Sequence, residues 1–136
     1  MCLRQITRKL ETPYKTTFYK VMFVNHNKRY SSIFYPEQRE YCLGWVYDCG
    51  ASFKLSSLES FKSSELHTYF VGFHGYSSFD DALIMFRYHI STHVTTRSFA
   101  LLLCNGLVRT FGYEEGHRKV VVADKMKILK DLSYTS

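Results

Sequence analysis

Aromatic and β-branched residues crowd together in short runs separated by turn-forming residues, and this pattern constrains the fold more than anything else in the chain. Such side chains fit the pleated surface of a sheet and lose χ1 freedom in a helix. Thr17–Val24 reads TFYKVMFV and stops at Asn25-His26-Asn27-Lys28, which has turn chemistry. Tyr30–Tyr35 follows and ends at Pro36, so a hairpin is predicted. Tyr41–Asp48, Leu66–His74, Ser98–Cys104, Leu107–Phe111 and Arg118–Ala123 are further strand-like runs, and Lys125–Leu132 reads as a short strand. Asn105-Gly106 is the strongest short turn signal in the sequence and predicts a tight hairpin, with one bent strand bulged at Gly106 as the alternative. Residues 51–65 read as a loop or a short irregular helix, and Gly112–Gly116 as a loop.

One segment has a helical period. Ser77 and Ser78 are N-cap candidates, Asp80 and Asp81 place negative charge at the positive end of the helix dipole, and Phe79, Ala82, Leu83, Phe86 and Ile90 form an apolar face. The prediction is an α+β fold in a single domain, with about seven mostly antiparallel strands and one main helix over about 78–90.

The 136 residues hold one core, and 46% hydrophobic against 22% charged residues exclude a disordered chain. Thr12-Pro13 punctuates the start of ordered structure, which divides the chain into a basic N-terminal arm over 1–12, a domain over 13–132 and a tail over 133–136. The net charge of +6 is uneven: residues 1–40 carry eight Lys/Arg against three Asp/Glu. A basic arm suits phosphates or another acidic partner, although interspersed acids also describe an ordinary basic surface. The N-terminus lacks the apolar core of a signal peptide, no run approaches the roughly 18 apolar residues of a membrane span, and the four Cys read as thiols. The expectation is a cytoplasmic or nuclear protein that does not engage membranes.

Catalytic patterns are scarce. His89 and His93 are spaced for one helix face and Cys42 and Cys49 stand seven apart, but neither pair has a second ligand pair, so no metal site is expected. Cys42 and Cys104 sit in apolar runs and read as packing thiols. No nucleophile elbow or phosphate-cradling glycine loop occurs. Asp80/Asp81 reads as helix-start charge and Glu114/Glu115 as a solvated loop. Gly72-Phe73-His74-Gly75-Tyr76 stands out: a His between two glycines, just ahead of a helix N-terminus, makes a pocket corner, and its plain counterpart is a strand end whose His packs.

The order of these features resembles the second half of an ADP-ribosyltransferase catalytic domain of the poly-ADP-ribose polymerase type. A Gly-Phe-His strand end, a Ser-rich cap and Ala-containing helix, FALLLCNGLV, and then KVVVADKMKIL carry the likeness over residues 70–130, with YKVM at 19–22 as the first core strand. The GFH strand order is also similar to that of small phage and bacterial proteins. The resemblance implies where an active site would lie, but the functional residues differ. Tyr19-Lys20 stands in place of the ribose-holding His, His74 in place of the nicotinamide-stacking Tyr, and Lys119 in place of the catalytic Glu. A cationic Lys119 cannot polarise a ribose hydroxyl as a carboxylate does.

The leading expectation is therefore a non-catalytic binding module on a degenerate scaffold of that type, without a cofactor. Tyr19, Lys20, His74, Tyr76 and Lys119 would contact an anionic ligand: a nucleotide, a nucleic acid or an acidic protein segment. One alternative is an active ADP-ribosyl or nucleotidyl transferase that uses NAD, with Glu114 or Glu115 as the catalytic carboxylate. The other is a protein-interaction module presenting exposed Tyr and Phe.

Overall fold

The strand-forming runs assemble into three long strands wound around a narrow interior. The structure is a computed structural model that describes residues 3–33, 40–48, 55–57, 68–70, 72–92 and 98–133. Its elements are β1 (Gln5–Val24), β2 (Tyr30–Ser31), β3 (Val46–Asp48), β4 (Leu55–Ser57), β5 (Thr68–Phe70), β6 (Phe73–Tyr76), α1 (Phe79–Thr92), β7 (Ser98–Tyr113) and β8 (Lys119–Asp131). All described pairings are antiparallel. The result is mostly antiparallel sheet with a single helix among the described residues.

The main sheet closes on itself. β1 pairs with β7, β7 with β8, β8 with β6, and β6 returns to β1 through Tyr19 opposite Tyr76. β2 extends β1 at one edge and β3 extends β8 at the other. Closure pairs the four strands on both sides where they overlap and forms a small barrel whose inner face must be filled by side chains. Because α1 packs on the outer face, the opposite face is the inner one. Phe18, Met22, Phe73, Ala100, Leu102, Cys104, Val108, Val121, Ala123, Met126 and Ile128 form its core.

Phe18 is a fully buried aromatic side chain of that interior, and two glycines make room for it. A Cβ at Gly75 would collide with its ring, and one at Gly106 would press on it at 3.2 Å while colliding with the Lys125 carbonyl. That close approach explains why Asn105-Gly106 does not turn. β7 runs straight through it, with Thr16 opposite Gly106 and Thr17 opposite Asn105. The expected hairpin is replaced by one strand, and the register shifts that bend it lie at Leu103/Cys104 and on either side of Val108. Arg118–Ala123 and Lys125–Leu132 likewise fuse into β8, because Met126 and Ile128 continue the inward face.

Other expectations meet the structure unevenly. The first hairpin forms as predicted: Asn25 Oδ1 accepts from the amides of Asn27 and Arg29, at 2.9 and 3.0 Å, and Lys28 takes the left-handed conformation at φ 57°. Residues 5–12 are the first part of β1 rather than an arm ahead of the ordered domain. Pro13, which has no N–H for a ladder, is accommodated by a register shift between Lys9 and Tyr14. Within 51–65, Leu55–Ser57 is a strand paired with β5. The third run shortens to β3, with Tyr41 joined to Tyr30 by an isolated bridge. Pro36, Cys2, Cys49 and His93 lie outside the described residues.

Helix α1 starts where its caps predict, with Ser78 Oγ accepting from the Asp81 amide at 3.4 Å, and it runs to Thr92. Its buried line is Ala82 and His89, with Leu83, Met85 and Phe86 packed around Val21, Tyr76, Leu101, Val120 and Val122. Phe79 and Ile90, expected on the apolar face, are exposed, because the sheet meets the helix along the 82–85–89 line. No helix among the described residues is long and apolar enough to cross a membrane.

Gly106→Ala should lower unfolding stability by about 1–3 kcal/mol, the usual range for overpacking a tight core. Urea unfolding followed by circular dichroism reads this directly; an unchanged midpoint would show that closure does not depend on a bare Cα beside Phe18.

Candidate functional site

The short strand β6 gathers most of the residues singled out in the sequence. Tyr19 faces Tyr76 across the β1–β6 ladder, and Tyr76 faces Val120, next to Lys119, across the β6–β8 ladder. The Lys20 ammonium donates to the His74 carbonyl. Tyr76 Oη donates to Glu114 Oε1 at 2.8 Å. Tyr19, Lys20, His74, Tyr76, Glu114 and Lys119 are therefore brought together around one strand. Glu115 stands apart on the exposed β7–β8 turn, 3.4 Å from the Arg4 guanidinium.

Proximity here means burial for three of them, His74, Tyr76 and Glu114. His74 is 7% exposed beneath the outer-face core, with Nε2 at 3.0 Å from Tyr69 Oη and Nδ1 at 3.2 Å from the Gly72 carbonyl. The carbonyl fixes the proton on Nδ1, so Nε2 accepts from the Tyr69 hydroxyl. Tyr69 in turn takes the Leu3 amide at 3.5 Å. Burial, reinforced by the Lys20 charge, lowers the His74 pKa from 6.5 to about 3. The imidazole is neutral at physiological pH.

Tyr76 and Glu114 form a second buried cluster with Arg118. Glu114 Oε1 accepts from both Tyr76 Oη and Arg118 Nε, the latter at 2.6 Å, and Arg118 also donates to the Glu115 carbonyl at 2.7 Å. Burial, the Glu114 charge and the bond to it hold the Tyr76 phenol well above its usual range, so it stays a donor. The cluster clasps a turn in which Gly116 and His117 have φ of 85° and 61°, closed by the Glu114 amide to the Arg118 carbonyl at 3.0 Å. Cys104 lies in the inner core, and burial pushes its thiol up to about 12, which suits packing rather than nucleophilic chemistry.

An open site lies at the end of the barrel that β6 leaves uncovered. A groove of about 260 Å³ is lined by Thr7 and Arg8 of β1, Phe111 and Tyr113 of β7, Lys119 and Val121 of β8, and Ser77 just after β6. Arg8 faces Phe111 across the ladder with its guanidinium 5.9 Å from the ring centroid, a cation–π contact. Tyr14 stacks on the same ring at 5.8 Å and 18°. Lys119 is exposed on the opposite wall, facing Tyr113. Its backbone is fixed by Asp81, which accepts its amide at 3.2 Å, and by the Ser77 amide, which donates to its carbonyl at 3.3 Å.

Of the residues expected to contact a ligand, Lys119 alone is part of this groove's lining; His74 and Tyr76 lie behind its wall. In the sequence Arg8 is only one charge of the basic N-terminal arm, and Phe111, Tyr113 and Tyr14 are not among the ligand-contact candidates. Their alternation within strands that extend past β6 is the signal, and the segment's basic, polar character hides it. No family model, curated protein or solved structure matches the chain.

Because the folded pKa of His74 lies below its ordinary value, the unfolded state takes up the proton first. The stability due to the neutral ring is complete above pH 6.5 and declines as pH falls towards 3. His74 ring proton resonances should stay fixed between pH 8 and 5; a titration centred near 6.5 would contradict its burial as a neutral acceptor.

Proposed function

We propose that the chain is a non-catalytic binding module for an anionic ligand, and that the ligand sits in the groove at the open end of the barrel. The observation that carries this reading is the pairing of two cations, Arg8 and Lys119, on either side of a floor of aromatic rings. No carboxylate among the described residues pairs with either side chain. Barrel mouths are common ligand sites because closure leaves strand ends converging on one concave surface. Here the cations meet negative charge and the rings of Phe111 and Tyr113 cover an apolar or planar part.

The transferase alternative needs a carboxylate free to polarise a hydroxyl. Glu114 is 8% exposed with one oxygen taken by Tyr76 and Arg118, and Glu115 points to solvent beside Arg4. Neither carboxylate lines the groove. This favours binding over catalysis, on whatever scaffold the ADP-ribosyltransferase resemblance implies.

Thermal-shift and calorimetric titrations with pyrophosphate, nucleoside monophosphates and an oligonucleotide provide the test. At least one of these anions should stabilise the protein, the effect should weaken with added salt, and the double variant Arg8→Ala, Lys119→Ala should abolish it while keeping its melting temperature. Equal binding by wild type and double variant would remove the groove from the function.

A further inference from the structure

We infer that the ligand of this groove is a single strand of nucleic acid, a reading that rests on the groove being the anion site. The groove volume of about 260 Å³ falls below the range of roughly 300–1,000 Å³ typical of sites that enclose a whole small molecule. It is the right size for one unit of a longer ligand that continues along the surface. The surface continues in the form such a ligand needs.

Three aromatic rings line up across the strands. Tyr113 and Phe111 are two residues apart on β7, a step of roughly 7 Å along a strand, and Tyr14 lies 5.8 Å beyond Phe111 on β1. Tyr14, stacked on Phe111, keeps 44% of its surface exposed at the end of this line. Arg8 stands over the middle ring and Lys119 beside the Tyr113 end. Cations beside a file of rings bind phosphates and unpaired bases together. An acidic peptide would satisfy Arg8 and Lys119 but has no reason to need the rings. A duplex hides its base faces inside its own stack. The strand therefore lies across β7 and β1, with a base on Tyr14 and phosphates at Arg8 and Lys119.

Fluorescence anisotropy with labelled oligothymidine of increasing length, oligouridine, a duplex, and unlabelled thymidine monophosphate and polyglutamate as competitors tests this. Affinity should rise with length up to about four nucleotides or more, and single strands should outcompete the duplex, the monophosphate and polyglutamate. The deoxyribose and ribose arms separate DNA from RNA as the source. Arg8→Ala and Lys119→Ala should each reduce the slope of log K against log salt by about 0.7. Tyr14→Ala should weaken binding about tenfold with the salt slope unchanged, and Tyr14→Phe should restore it. If the monophosphate or polyglutamate binds as well as the oligomer, the nucleic-acid assignment is wrong while the anion-binding reading stands. If only the duplex binds, or Tyr14→Ala binds like wild type, the stacking strand is wrong. If no anion binds, both readings fall.

Discussion

The contact on which the architecture depends is the Phe18 ring pressed against two bare Cα atoms. A ring of four ladders encloses little volume, and its interior has to be filled without leaving a void or forcing the strands apart. One phenyl group placed against Gly75 and Gly106 helps meet that condition, with the small side chains of Ala100, Cys104 and Ala123 interspersed among Met22, Phe73, Leu102, Met126 and Ile128. With β1 held against β6 at Tyr19–Tyr76, the first half of β1 extends past β6 and pairs with the end of β7. That overhang brings Arg8 to Phe111, so the groove is a consequence of closure rather than a separate loop structure.

The outer face follows a different rule. Alongside α1, buried polar groups satisfy one another in two sets: His74 with Tyr69 and the Gly72 carbonyl, and Tyr76 with Glu114 and Arg118. A buried hydroxyl or carboxylate left without a partner costs far more than a satisfied one contributes, so such sets specify how the pieces dock. The Tyr76–Glu114–Arg118 set joins β6 to the β7–β8 turn, which fixes the wall that presents Tyr113 and Lys119. Residues that look chemically suggestive on the sequence thus support the groove from behind.

Local signals in the sequence are legible where local interactions decide the structure. The Asn25 turn forms from Asn25's own side chain, and the Ser78 cap and Asp80/Asp81 start α1 as their chemistry dictates. Asn105-Gly106 misleads because its glycine answers to a distant demand: the ring of Phe18 and the carbonyl of Lys125 need its space. The strand order is equally hidden, since nothing near β6 in sequence announces that it pairs with both β1 and β8. The candidate site was legible only in part. Lys119 comes into view only through the resemblance, as the residue in place of that family's catalytic Glu, and Arg8 only as one charge of the basic N-terminus, because its strand character comes from pairing with β7.

The charge distribution acquires meaning only with the fold. Arg4, Arg29, Arg109, Arg118 and Lys125 each lie within ion-pair distance of a carboxylate, and Arg109 makes two bonds to Asp124 Oδ2 at 3.0 and 2.9 Å. A guanidinium held in that way has spent its directional donors on its own protein. Arg8 faces an aromatic ring instead, with its guanidinium 5.9 Å from the Phe111 centroid, and the ring attracts its charge. A net charge of +6 is by itself an ordinary basic surface. What the fold adds is position: it brings Arg8 and Lys119, neither paired with a carboxylate among the described residues, to the lining of one groove together with Phe111 and Tyr113.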